Sequence, residues 1–95
     1  MPEVRVIALG EVRRQVGFSQ REISFEGATV RELLRSIATK QGGSLEELLV
    51  CENRLRGDYA VVIEGLALPA DQLERRLEGG ENVVTMAVIR HLAGG

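Results

Sequence analysis

The sequence predicts an α+β fold, a mixed sheet of four to five strands packed on one main helix. Three observations predict it. Two short strand-like runs, residues 4–9 and 21–25, open the chain. A capped amphipathic helix comes next, from Thr29. Strand-like runs then return at residues 59–63 and 83–89. A hairpin, a helix and further strands assemble most simply as one sheet wrapped over that helix.

Each element has its own local reason. Val4-Arg5-Val6-Ile7-Ala8-Leu9 is short, apolar and β-branched, and Gly10 comes directly after it. Gly17 is expected in the turn, and Arg21-Glu22-Ile23-Ser24-Phe25 alternates polar and apolar, as a half-buried strand does. Thr29-Val30-Arg31-Glu32 is a capping box in which each side chain can satisfy a backbone N–H of the first turn. Val30, Leu33, Leu34, Ile37 and Ala38 then form one apolar stripe, and Gly42-Gly43 is expected to stop the helix. Ser44-Leu45-Glu46-Glu47 repeats the cap, so a short second helix carrying Leu45, Leu48 and Leu49 is expected.

Residues 53–58 are polar and are expected to form a loop, and Tyr59-Ala60-Val61-Val62-Ile63 a strand. Glu64-Gly65 is a turn, residues 66–68 a short return strand ended by Pro69. Residues 71–77 are expected to make a helical turn with Leu73 and Leu77 inward, and Glu78-Gly79-Gly80-Glu81-Asn82 a further turn. The last run, Val83-Val84-Thr85-Met86-Ala87-Val88-Ile89, is apolar at consecutive positions, which predicts a central strand covered on both faces. Val84, Met86 and Val88 share one face. Val83, Thr85, Ala87 and Ile89 share the other, and Thr85 marks that second face as the outward one. If the helix leaves it open, a partner is expected to cover it.

Composition narrows the function by exclusion. Ninety-five residues make a single domain over 1–95, with a flexible C-terminal tail expected at 90–95. Twelve Lys and Arg against fourteen Asp and Glu give a net charge of −2, no footprint for nucleic acid. With no Trp, one Tyr and two Phe there is no platform for stacking bases. No stretch is apolar enough to span a membrane, and Met1-Pro2-Glu3 has no signal-peptide character. A cytoplasmic protein is expected.

The chemistry of common active sites is also missing. The eleven glycines form neither G-x-x-x-x-G-K-[ST] nor G-x-G-x-x-G after a strand, and their pairs fall where elements end. One cysteine cannot make an internal disulfide or a cysteine metal site. Cys51 has no base beside it in sequence, because the one histidine is His91, so it is expected to be a small buried hydrophobe. Glu46 and Glu47 belong to a cap, Glu74 and Glu78 to a solvated face, and Arg13-Arg14 to a loop. No catalytic residue, bound cofactor or metal is expected.

What remains is the end of the sequence, Arg90-His91-Leu92-Ala93-Gly94-Gly95. At an average glycine usage of about 7%, chance places Gly-Gly last in roughly one chain in 200. Placement is what gives the pair meaning, since it ends a tail issuing from a central strand. A terminal carboxylate is ionised at neutral pH and a poor electrophile, but once joined to AMP it becomes an acyl group that sulfur or nitrogen can attack. Glycines keep the approach thin. Leu92 suits an apolar groove, and Arg90 a partner's carboxylate.

The opening strand, the Thr29-Val30-Arg31-Glu32-Leu33-Leu34 helix start, the Leu77-Glu78-Gly79-Gly80-Glu81-Asn82-Val83 turn and the terminal Gly94-Gly95 together resemble the ubiquitin-like β-grasp superfamily. Within it the chain most resembles sulfur carriers of the MoaD/ThiS type. The resemblance implies a carrier rather than an enzyme, with Gly95 as the point of attachment. Gly94, Ala93, Leu92 and Arg90 would thread the tail. An E1-like partner would use ATP to adenylate Gly95, and a thiocarboxylate would form there. A sulfur-transfer partner, such as a molybdopterin synthase large subunit, would receive the sulfur. Arg90-His91-Leu92-Ala93 replaces the Pro-Pro-Val type of run frequent in MoaD-like tails, and Glu78-Gly79-Gly80-Glu81 the usual Asp-Gly-Asp turn. The Arg-containing tail is closer in character to a ubiquitin-like modifier joined through Gly95 to lysines. A β-grasp interaction module with no transfer chemistry is the third reading.

Overall fold

The computed structural model describes residues 3–25, 29–77 and 83–90. Strand β1 (Glu3–Ala8) leads into helix α1 (Glu11–Val16) and then strand β2 (Gln20–Ser24). The expected hairpin forms, with β1 and β2 antiparallel from Glu3↔Ser24 to Ile7↔Gln20. Its connection is not the plain turn expected around Gly17 but a helix. Val12 and Val16 lie on the buried side of α1. A six-residue helix gives only two apolar positions, too few for the periodicity to stand out from a loop. Gly17, at φ +81°, is the left-handed cap that closes it, its N–H donating to the Arg13 carbonyl at 3.0 Å.

Helix α2 (Val30–Ser36) begins at the expected N-cap. The Glu32 N–H donates to Thr29 Oγ1 at 3.2 Å, and the Thr29 hydroxyl donates to the Glu32 carboxylate at 3.1 Å. The capping box is thus only half used. The other first-turn donors are met from elsewhere: Val30 N–H donates to the Arg75 carbonyl (3.0 Å) and Arg31 N–H to that of Leu73 (2.9 Å). The helix ends at Ser36, six residues before Gly42. Ile37 is extended, and Leu45 N–H donates to its carbonyl. Val30, Leu33, Leu34 and Ile37 are buried as expected, whereas Ala38, beyond the helix, is exposed.

Helix α3 (Leu45–Leu49) starts from its Ser44 cap, with Glu47 N–H donating to Ser44 Oγ at 3.4 Å. Strands β3 (Val50–Cys51) and β4 (Arg54–Leu55) then make a small hairpin inside the segment expected to be loop. Glu52 and Asn53 both take positive φ between paired Cys51 and Arg54, the conformation that matches a two-residue loop to strand twist. Cys51 is exposed on this hairpin, not buried. Its register partner Arg54 is exposed as well, and the buried position of the hairpin is taken by Leu55, opposite Val50.

Strands β5 (Tyr59–Ile63) and β6 (Leu66–Ala67) form the expected hairpin around Glu64 and Gly65, also at positive φ. Residues 69–76 run as successive turns rather than a helix, with Gln72 N–H donating to the Pro69 carbonyl and Arg75 N–H to that of Gln72. The carbonyls of Leu73 and Arg75 are spent on the N-terminus of α2, which stops the turns from continuing as a helix. Leu73 and Leu77 are buried as expected. The turn expected over residues 78–82 lies outside the described residues. Strand β7 (Val84–Arg90) closes the chain's described part.

The sheet has five strands in the order β2-β1-β7-β5-β6. Strand β7 lies at its centre, parallel to β1 and antiparallel to β5. One face is sealed. Val4, Val6, Val61, Val84, Met86 and Val88 join the buried side chains of all three helices in a single cluster. The other face is half open: Thr85, Ala87 and Ile89 are only partly buried, so β7 is not covered on both sides as its composition suggested. Small and β-branched residues there are accommodated by their cross-strand neighbours instead. Among the described residues no helix is long and apolar enough to cross a membrane.

Candidate functional site

The open face of the sheet can be traced along the register. Ala87 lies between Ile7 of β1 and Val62 of β5, and Ile89 lies opposite Ala60. None of these belongs to the core cluster or packs against it. They form a shallow apolar strip along β7, with Thr85 and the ion pair Arg5–Glu22 (2.9 Å) at one end. This is the face that Thr85 marked as outward. Leu66, 65% exposed, sits on the β6 edge of the sheet.

Strand β7 carries the chain along this strip to Arg90. That residue ends the strand rather than starting a tail, and it pairs in register with Tyr59. Its guanidinium is engaged on three sides. The Nε donates to Asp58 Oδ2 at 3.2 Å, Nη1 lies 3.4 Å from Glu11 Oε1, and the group stacks 5.7 Å from the centroid of the Tyr59 ring. Carboxylates of this chain therefore occupy the guanidinium that the sequence offered to a partner. Glu11, Asp58 and Tyr59 do not stand out in the sequence as site residues. They lie 79, 32 and 31 positions before Arg90, and only the parallel β1–β7 pairing and the β5–β7 pairing gather them. His91, Leu92, Ala93, Gly94 and Gly95 lie outside the described residues.

A second charge cluster ties helices on the sealed side. Arg35 grips Glu46 in a bidentate pair through one guanidinium edge, Nε and Nη2 each donating to a carboxylate oxygen at 3.0 Å. Arg31 adds Glu74 at 3.0 Å and donates to Asn53 Oδ1 at 3.2 Å. The hydrogen bonds from Arg35 hold the Glu46 carboxyl below the ordinary glutamate range. Partial burial works against them, and the charges of Arg35 and Arg31 assist. This is a clasp between α2 and α3. Among the described residues no three His, Cys, Asp or Glu side chains come together as a metal site.

No protein-family model matches the chain, and no curated protein matches it either. Solved structures do. The small archaeal modifier protein 1 of Methanosarcina acetivorans superposes with a TM-score of 0.72 at 20% identity, covering 100% of this chain and 98% of that one. A chain of the BexX/CysO complex of Amycolatopsis orientalis gives 0.70 at 22% identity, covering 97% and 99%. A protein described as subunit 1 of a molybdopterin converting factor, from Pyrococcus furiosus, gives 0.67 at 21%, covering 97% and 100%. At such identities the likeness is one of fold, and it runs the length of both partners. A five-stranded mixed sheet with a central β7 parallel to β1, sealed by helices on one face, is the ubiquitin-like β-grasp fold.

Proposed function

We propose that this protein is a sulfur carrier working through the carboxylate of Gly95. The observation that carries the reading is the delivery of the chain end. The central strand of a β-grasp sheet runs to Arg90, beside an open apolar strip, and the sequence continues five residues to Gly94-Gly95. In the proposed reaction a carboxylate oxygen of Gly95 attacks the α-phosphorus of ATP and pyrophosphate leaves, on an E1-like partner. Hydrosulfide, used as the sulfur source, then attacks the acyl carbon and AMP leaves, giving a thiocarboxylate. The open strip of Ile7, Val62, Ala87 and Ile89 is the surface this partner would cover, because it is continuous with the strand that presents the terminus. Sulfur delivery to a molybdopterin precursor is the acceptor step we favour, supported by the likeness to the Pyrococcus furiosus protein. The likeness to a small archaeal modifier protein favours a second reading, attachment of Gly95 to lysine side chains. Both share the adenylation step and differ in the nucleophile.

Intact-mass analysis separates them. The protein is incubated with ATP, sulfide and a clarified extract of its own cells. A mass gain equal to exchanging one oxygen for sulfur, located on Gly95 by fragmentation, supports the carrier. Lysine adducts ending in Gly-Gly support the modifier. Neither product, with a chain whose mass confirms Gly95 as its last residue, removes both and leaves the interaction module.

A further inference from the structure

We propose that Arg90 is a positioning residue, a clamp that makes the C-terminal segment fast to the domain and so sets how far Gly95 can reach. This rests on the reading that Gly95 is the transferred end. The geometry points to it. Arg90 is the last residue of β7, and its guanidinium reaches two places distant in sequence, Glu11 at the start of α1 and Asp58 in the turn just before β5. The ring of Tyr59, its partner in the ladder, lies beneath it. All three ionic side chains are partly exposed, with relative exposures of 41% for Arg90, 48% for Glu11 and 30% for Asp58. Pairs of this kind contribute little to global stability. What three converging contacts do well is hold one planar group in one place.

The clamp gives the last five residues a fixed origin. Fully extended, the five residues beyond Arg90 span about 17 Å. A carboxylate that must enter another protein's nucleotide site has that reach and no more while the clamp is closed. If the clamp opens, the terminal Tyr59↔Arg90 pair can part, and each released residue adds about 3.4 Å. Clamp and tail length are therefore interchangeable, which a purely structural ion pair would not be.

The test uses the full chain with both carboxylates neutralised, Glu11→Gln/Asp58→Asn, and a second chain lacking Ala93. In the double variant the ¹⁵N heteronuclear NOE of Arg90 should fall well below that of Val88, while the NOE of Val88 and the far-UV spectrum stay native. Deleting Ala93 alone should slow thiocarboxylate formation, in the same cell-extract assay, by about tenfold or more. Deleting it in the double variant should restore several-fold of that rate, because the freed residue replaces the missing one. An unchanged Arg90 NOE in the double variant overturns the clamp, and so does an equal rate loss in both backgrounds. If the native chain is never charged with sulfur, the carrier reading fails, and the NOE comparison still decides whether Arg90 is anchored by Glu11 and Asp58.

Discussion

The two faces of β7 make a prediction in which neighbouring residues behave oppositely. Met86 is fully buried, in the cluster that joins the sheet to the helices. Ala87, the next residue, faces the open strip between Ile7 and Val62. Replacing Met86 by Ala removes buried side-chain volume that close-packed neighbours only partly refill, which costs about 2–5 kcal/mol. A chain of this length has about 5–14 kcal/mol in total, so Met86→Ala should consume a large share of it. With a urea m-value of about 1–3 kcal/mol/M, the midpoint should fall by about 0.7–5 M, about 1.7 M at mid-range values. Ala87→Thr puts a β-branched residue on a half-open pleat, and the change should stay within about 1 kcal/mol of neutral. The protein has no Trp, so urea melts are best monitored by far-UV circular dichroism. Equal midpoint shifts for the two variants would refute the assignment of a sealed and an open face. So would a loss at Met86 below about 1 kcal/mol.

Local geometry sets three further outcomes. Thr29→Ala removes the acceptor for the Glu32 N–H and should lower stability by about 1 kcal/mol, read from the same urea melts, with Thr29→Ser recovering most of it. Glu46 has its folded carboxyl pKa lowered by Arg35, so the clasp stabilises the protein above the ordinary glutamate range and is lost as pH falls through the lower folded value. Glu46→Gln should therefore destabilise at neutral pH, and the gap to the native chain should narrow as pH falls below the ordinary glutamate range and close below the lower folded value. Cys51 is exposed, so the folded protein should react with a thiol-reactive dye to one equivalent per chain without denaturant; a thiol titratable only after unfolding would contradict the hairpin placement.

What the sequence reveals is decided by how local the cause is. The N-caps at Thr29 and Ser44, the Glu64-Gly65 turn and the two faces of β7 all rest on spacings of a few residues, and each appears as expected. The failures share one cause, that a distant partner supplies the missing half. Helix α2 stops early where Ile37 turns extended and its carbonyl accepts from the Leu45 N–H, and residues 69–76 do not become helical because the Leu73 and Arg75 carbonyls cap α2. Helix α1 is too short to declare itself. The β3–β4 hairpin has a signal, Asn53 at positive φ beside Glu52, but two-residue strands carry no alternation to frame it. The site divides the same way. The Gly94-Gly95 end is a motif of adjacent residues. The surroundings of Arg90 are assembled from three elements, and no local pattern foretells them.

The shape of the open strip bears on what kind of partner the proposed function needs. Its central positions alternate small and branched side chains, with Ala60 and Ala87 among Ile7, Val62 and Ile89. Such a surface is nearly flat. A small-molecule site needs a concavity with convergent polar groups, and alanines on an open sheet provide neither. A shallow apolar strip with an ion pair at one end is instead suited to another protein's surface, where close approach of two backbones excludes water over a wide area. Stability need not suffer for it, because the cluster on the sealed face holds the fold by itself. The division of labour fits a carrier. One face of β7 keeps the domain folded, the other is left for a partner to cover, and under the proposed function Arg90 at the end of the same strand would fix where the carried group begins.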